Sequence, residues 1–206
     1  MLPSHATGRA KPLPAEERRA ALIAATLPLL SQRGTRVTTR EIAEAAGVAE
    51  GTIFRVFRDK DELVNAAIAT VFDPAPTLAE LAGIDPELPL ERRLVEITAV
   101  LQRRLLGVFN LLIACRMSAP PKDVDRHRDS AGPAHAMTLR RIESLLAPDR
   151  DRFRVPVEEV VRLLRLMTFA SSQPLITDGE LLSAEEIATV LLDGVRRTAH
   201  EGEHTC

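Results

Sequence analysis

The chain has 206 residues, 45% of them apolar, which is enough for one small and one larger helical unit with buried cores. Its two cysteines, Cys115 inside an apolar run and Cys206 at the last position, suit a reducing cytosol and exclude a disulfide framework. The longest uncharged run, Ala20 to Gln32, spans thirteen residues and contains Pro28. That is short of the roughly 18 to 20 residues needed to cross a bilayer, so no membrane partner and a cytoplasmic location are expected, with no secretory signal pattern to oppose them. Net charge is only -2, but it is unevenly spread: residues 1–60 hold ten Lys/Arg against six Asp/Glu, and residues 61–206 hold 17 against 23. A basic N-terminal end on an acidic body is the charge division expected of a chain that meets nucleic acid with one face.

Residues 1–14 carry Pro3, Pro12, Pro14, Gly8, Arg9 and Lys11 with little apolar periodicity. They read as a flexible basic arm, either a solvated tail or a segment reaching a minor groove. Ala15 to Gln32 is a first helix with Leu22, Ile23, Leu27 and Leu30 inward, and Pro28 removes one of its hydrogen bonds. Thr38-Thr39-Arg40-Glu41 is a Ser/Thr-x-x-Glu capping box, so a second helix starts at about Thr39, with Ile42, Ala43 and Ala46 on its buried face. Gly47 follows where a left-handed residue ends a helix. The next helix starts near Ala49 or Glu50, places Ile53 and Phe57 inward, and turns Gly51, Thr52 and Arg55 outward. Asp59 caps a further helix with Glu62 three residues on, and Leu63, Val64, Ala67, Ile68 and Val71 form its apolar stripe. Steeply crossed helices joined by a short turn form a helix-turn-helix, which lays its second helix in the major groove of DNA.

Asp73 to Pro89 holds four prolines and reads as a connector, with room for a short turn of helix over Thr77 to Ala82. Leu90 to Met117 is helical but long, and Gly107 predicts a break into pieces of about 90–105 and 108–118. Ser118 to Pro133 is a polar loop in which Arg126, His127 and Arg128 either close over a ligand or stay unstructured. His135 to Leu146 is another helix. Pro156 to Ser172, with Val157, Val160, Val161, Leu164, Met167 and Phe169, is apolar on nearly all sides and so buried on two of them. Ser183 and Glu186 form a second capping box that launches a helix with Ile187, Val190, Leu191, Gly194 and Val195 on one stripe. Together the last two helices look like a dimer interface.

The run IAEAAGVAEGTIFRVFRDKDELV, preceded by Thr38-Thr39, resembles the N-terminal signature of the TetR family of bacterial transcriptional regulators. The resemblance covers about Ala15 to Phe72 and rests on Thr38-Thr39, Ile42-Ala43, Ala46-Gly47-Val48, Gly51-Thr52, Phe54, Arg55, Phe57 and Lys60. It implies an all-α fold of about nine helices, divided into the arm 1–14, a helix-turn-helix domain 15–60 with a connecting helix 61–72, and a ligand-binding and dimerisation domain 73–206. It further implies a repressor that binds double-stranded DNA at a palindrome as a homodimer formed through the last two helices, and that is released by a small apolar effector. Three positions depart from the family pattern: Phe54 stands where tyrosine is usual, Val56 where histidine is common, and Glu50 where a basic residue is frequent.

Chemistry distributes the contacts. Thr38, Thr39 and Lys60, near helix starts, are candidates for phosphate, although Thr38 also reads as a cap alone. Arg40 and Arg55 have the forked donors that guanine accepts, Gly51 and Ala49 let the backbone approach, and the methyl of Thr52 suits thymine. Phe54 lies in the same segment, and Glu50 is either a cytosine-accepting residue or a solvated one. For the effector, Phe109, Leu112, Ile113, Met117 and Met137 are candidate lining residues, with polar recognition left to Asn110, Arg116 or Gln102. No phosphate loop, nucleophile elbow, zinc-protease helix or CxxC pair is present, so neither an enzyme nor a cofactor is expected. His200, His204 and Cys206 are plausible metal ligands on a terminal tail, and the alternative to a repressor is a helical ligand- or metal-binding protein with weak or lost DNA binding.

Overall fold

The computed structural model describes residues 14–117 and 135–196. The basic arm, the Arg126–Arg128 loop and the His200, His204, Cys206 tail therefore lie outside the described residues, Pro14 excepted. Within them the fold is all-α, as expected: eight helices and three short 3-10 segments, with no strand and one isolated antiparallel bridge between Phe153 and Arg196. The chain divides into two compact units, Met1–Ile68 and Ala69–Cys206.

In the first unit, α1 (Ala15–Arg33) buries Leu22, Ile23, Thr26 and Leu30, while Leu27 is half-buried. The helix continues through Pro28, which sits on its exposed side. A 3-10 turn, Gly34–Arg36, leads to α2 (Thr39–Ala45), and a second 3-10 segment, Glu50–Arg55, follows. The helix expected from Glu50 onward is thus present but wound more tightly than an α-helix. Helix α3 (Lys60–Phe72) buries Leu63, Val64, Ala67 and Ile68, and the division between the units falls inside it.

In the second unit, α4 (Ala75–Ala82) replaces much of the expected connector. Its prolines fall where a helix tolerates them, Pro74 as the cap and Pro76 in the first turn, and the Asp73 carboxylate accepts from the Ala75 amide at 2.9 Å. Helix α5 (Leu90–Ala114) runs 25 residues without the expected break at Gly107. One glycine costs about 1 kcal/mol in a helix interior, and the buried Leu101, Phe109 and Leu111 on either side hold the helix together. By length and composition α5 is also apolar enough to span a bilayer. It is instead the bundle's central helix, packed against α4, α7 and α8.

Helix α6, described over residues 135–146, precedes a 3-10 segment at Ala147–Arg152. Helix α7 (Val157–Ser171) presses one stripe, Val160, Val161, Leu164 and Thr168, into the core and leaves Leu166 and Phe169 exposed. It is therefore not covered on two sides within one chain. Helix α8 (Ala184–Val195) starts from the expected capping box, with the Ser183 hydroxyl accepting from the Glu186 amide at 3.1 Å and the Glu186 carboxylate accepting from the Ser183 amide at 2.7 Å. Its buried stripe is Ile187, Ala188, Leu191, Leu192 and Val195, while Val190 and Gly194, expected on the same stripe as Ile187, Leu191 and Val195, are exposed at its edge. The core joins these residues to Leu94, Ile97 and Leu101 of α5 and to Ile142, Leu145 and Leu146 of α6. Buried Arg93 is held by the Pro86 and Leu88 carbonyls and by an ion pair with Asp149.

Candidate nucleic-acid interface and effector cavity

The geometry of the first unit is set by caps. The Thr38 hydroxyl accepts from the Glu41 amide at 3.3 Å, and Glu41 accepts from the Thr38 amide at 2.8 Å and from the Thr38 hydroxyl at 3.0 Å. The other Glu41 oxygen takes the Arg33 guanidinium at 2.5 Å, tying the end of α1 to the start of α2. The Thr38 amide, and after it the Thr38 hydroxyl, hold the Glu41 carboxyl below the usual range. Helix α2 ends at Gly47, whose φ of 65° is the left-handed conformation that closes the turn. Ile42, Ala43, Ile53 and Phe57 form the floor beneath the turn, and the Arg19 guanidinium lies 4.9 Å from the Phe57 ring centroid.

On this floor Arg40, Ala49, Glu50, Gly51, Phe54 and Arg55 are exposed, and Thr39 and Thr52 are half-exposed. Phe54 shows 53% of its surface. Neither Arg40 nor Arg55 has a hydrogen-bond or ion-pair partner among the described residues. The other candidates are committed. Thr38 is occupied as a cap, and the Thr39 hydroxyl donates to Glu50 at 2.5 Å, joining the two helices across the turn. Lys60 donates through Nζ to the Thr35 and Val37 carbonyls, each at 3.1 Å. It clamps the loop before α2 and keeps one proton for any further acceptor. The sequence suggested Lys60 for phosphate because of its place at a helix start; its long-range tie to residues 35–37 has no local signal.

The second unit contains a cavity of about 630 Å³ between α4, α5, α6 and α7. Leu101 and Leu105, Leu139 and Ile142, and Leu166 and Phe169 supply its apolar walls, and Arg104, His135, Arg162 and Arg165 its charge. None of the five expected lining residues borders it. Phe109 is buried behind it, edge-on to Phe169 with ring centroids 5.2 Å apart, while Ile113 and Met137 are exposed and Leu112 and Met117 half-buried. Of the expected polar partners, Gln102 instead donates to the Leu182 carbonyl at 2.6 Å. The sequence signal for the cavity was cations in apolar helices: Arg104 within α5, and Arg162 and Arg165 three residues apart beside Leu166 and Phe169.

Arg104 donates to the Phe72 and Asp73 carbonyls at 3.0 and 2.7 Å and to the Thr77 hydroxyl at 3.1 Å. Burial pushes its guanidinium below the usual arginine range, against the attraction of Asp73. Arg162 is neutralised by Glu159 through two bonds of 2.7 and 2.5 Å. Desolvation, then the charges of Arg165 and Arg104, hold His135 below its ordinary value. Burial raises the Cys115 thiol, which makes it a packing residue and not a nucleophile.

Two buried-floor helices around a left-handed glycine, with arginines projecting from them, define a helix-turn-helix, and the comparisons agree. The family model described as bacterial regulatory proteins, tetR family, matches residues 22–67. The probable HTH-type transcriptional regulator ArpR of Pseudomonas putida is 36% identical over 101 residues, which cover 48% of this chain and 44% of that protein. The HTH-type transcriptional regulator TtgR of the same species is 34% identical over 100 residues, again 48% and 44%. The matched stretch thus spans less than half the length of these curated relatives. Among solved structures, a TetR-family regulator from Mesorhizobium loti aligns with a TM-score of 0.59 at 16% identity, covering 90% of this chain and all of that one. NalD, the secondary repressor of the MexAB-OprM multidrug efflux pump in Pseudomonas aeruginosa, aligns with a TM-score of 0.52 at 20% identity over 89% and 99%. These likenesses establish the fold over both units. Residues 22–67 thus match the DNA-binding region of the tetR family of bacterial regulatory proteins, and the described fold is that of solved TetR-family regulators. The curated relatives are named as transcriptional regulators.

Proposed function

We propose that this chain is a cytoplasmic, homodimeric repressor that binds a palindromic operator through α2 and the 3-10 segment Glu50–Arg55, and is released by a small, largely apolar molecule held in the second unit. The observation that carries the reading is the pair of unpartnered guanidiniums, Arg40 and Arg55, projecting beside exposed Gly51, Thr52 and Phe54 from a floor of buried side chains. Arginine donates in bidentate fashion to guanine, and Gly51 leaves room for the sugar-phosphate backbone because nothing lies within 4 Å of where its Cβ would stand. Dimerisation is supported by Val190, an apolar side chain that α8 leaves exposed among the described residues, beside Gly194, where nothing lies within 4 Å of a Cβ position. A two-fold dimer presents two reading segments to half-sites about 34 to 36 Å apart. An effector that favours a different spacing lowers operator affinity, and a coupling of about 1 to 3 kcal/mol is ordinary for such a response.

The test is fluorescence anisotropy of the full chain with DNA from upstream of its own gene, across a salt series. Arg55→Ala is expected to weaken binding by about 1 to 3 kcal/mol and to relax base preference at one position of each half-site. Absence of salt-dependent binding to any palindrome, or an unchanged affinity in Arg55→Ala, overturns the proposal. The engagement of Thr39 by Glu50 and of Lys60 by two carbonyls favours a second reading, a helical ligand-binding protein with weak DNA affinity. That reading gains if ligand binding persists where operator binding is absent.

A further inference from the structure

The cavity's charge is unbalanced. Four of its lining residues, Arg104, His135, Arg162 and Arg165, carry or accept positive charge, and no aspartate or glutamate lines it among the described residues. Glu159 neutralises Arg162 from outside through two hydrogen bonds, and Asp73 partly offsets Arg104, whose guanidinium is fixed by two carbonyls and a hydroxyl. Arg165 is half-buried and has no carboxylate partner among the described residues. Desolvation, and after it the charges of Arg165 and Arg104, disfavour a further proton on His135 at the cavity's edge.

Arg165, half-buried and without a carboxylate among the described residues, is open to an anion from outside. Leu101 and Leu105 on one side and Leu166 and Phe169 on the other suit hydrocarbon or an aromatic ring, and Thr77, Thr138 and Thr168 are the uncharged polar residues of the lining. A volume of about 630 Å³ lies inside the usual range for small-molecule sites, about 300 to 1,000 Å³. We infer that this cavity binds a small amphipathic carboxylate, its apolar body between α5 and α7 and its anionic head at Arg165, with Arg104 adding field from its fixed position. One uncompensated guanidinium matches one anionic group, and arginine receives a carboxylate through two parallel N–H donors. The inference rests on the reading of the second unit as the effector domain and specifies the effector's chemical class.

The test is isothermal titration of the full chain, without DNA, with two carboxylates and their neutral counterparts: decanoate against decanol, and 2-naphthoate against 2-naphthalenemethanol. At least one carboxylate is expected to bind tenfold or more tightly than its alcohol, and decylammonium is expected not to bind. Arg165→Gln is expected to remove that preference while retaining binding of the alcohol, which also reports an intact cavity. Alcohols that bind as well as the acids, or an Arg165→Gln variant that keeps the full preference, overturn the inference. Because the wild-type comparison needs no variant, an Arg165→Gln chain that fails to fold leaves the first criterion decisive. Failure of operator binding counts against the regulator proposal and leaves this result standing; loss of carboxylate preference with operator binding intact does the reverse.

Discussion

Gly47 is the residue on which the reading segment turns, and its substitution can be costed from geometry. Its φ of 65° is left-handed, yet nothing lies within 4 Å of where a Cβ would stand. Gly47→Ala therefore introduces no clash, and its cost is the backbone term alone, about 1 to 2 kcal/mol for a non-glycine residue in that conformation. Gly47→Asn costs less, because a short polar side chain bonds locally in the left-handed region. Gly51 is a matched control: its surroundings are equally open, but its φ is not left-handed. Gly51→Ala relieves chain entropy in a helical segment and is expected to leave stability unchanged or raise it by about 0.5 to 1 kcal/mol. Native-state hydrogen exchange reads both, at the Val48 amide, which donates to the Ala43 carbonyl at 2.9 Å, and at the Phe57 amide, which donates to Ile53 at 2.8 Å. A loss of about 1 to 2 kcal/mol corresponds to roughly 5- to 30-fold faster exchange through opening of the unit. Equal effects of the two alanines, or no effect of Gly47→Ala, would show that the turn does not depend on left-handed backbone and refute the reasoning.

Acid sensitivity follows from the caps. The carboxyls of Glu41 and Glu186 lie below their ordinary 4.5, chiefly through the backbone amides of Thr38 and Ser183, and that of Asp59 lies below 3.8, chiefly through the Arg58 side chain. Because the folded values are depressed, the stabilisation is complete above the unfolded values and is lost as pH falls through the folded ones. Stability followed by circular dichroism in urea should be level above about pH 5 and fall below about pH 4.5, less steeply in the double variant Glu41→Gln, Glu186→Gln, which lacks the two titrating carboxyls; an equally steep fall in that variant would contradict the assignment. At the proposed dimer face, Val190→Glu places a charge where apolar area would be buried, and sedimentation velocity should show a monomer with unchanged helix content. A dimer surviving that change would move the interface elsewhere.

The helix-turn-helix was legible because its signals are local. The Thr38 and Glu41 box, the position of Gly47 and the Ile53 to Phe57 spacing are each decided within a few residues, and each appears in the structure where the spacing put it. The cavity of the second unit was not legible, because a stripe of leucines is the same in sequence whether it packs a core or walls a void. Phe109 shows the difficulty: it lies one ring behind the cavity, in contact with Phe169, which lines it. The uninterrupted α5 has a related cause. Gly107 weakens a helix locally, but whether the helix breaks is decided by the contacts of its neighbours on α4, α7 and α8.

The departures at the reading face bear on how such a protein is released. Phe54 brings a ring without a phenol, Lys60 is spent on Thr35 and Val37, and the Glu50 carboxylate is turned toward Thr39, where the hydroxyl absorbs part of its charge and lessens its repulsion of phosphate. On α2 and the segment after it, Arg40 and Arg55 are the basic residues left uncommitted among the described residues. Phosphate contacts supply most sequence-independent affinity, so a head with few of them leans on base contacts and on the doubling that dimerisation provides. Base contacts are sensitive to register, since a displaced guanidinium loses both of its bonds to guanine at once. A modest change in the spacing of the two heads therefore removes a larger fraction of the binding energy than it would from a head anchored mainly to phosphate.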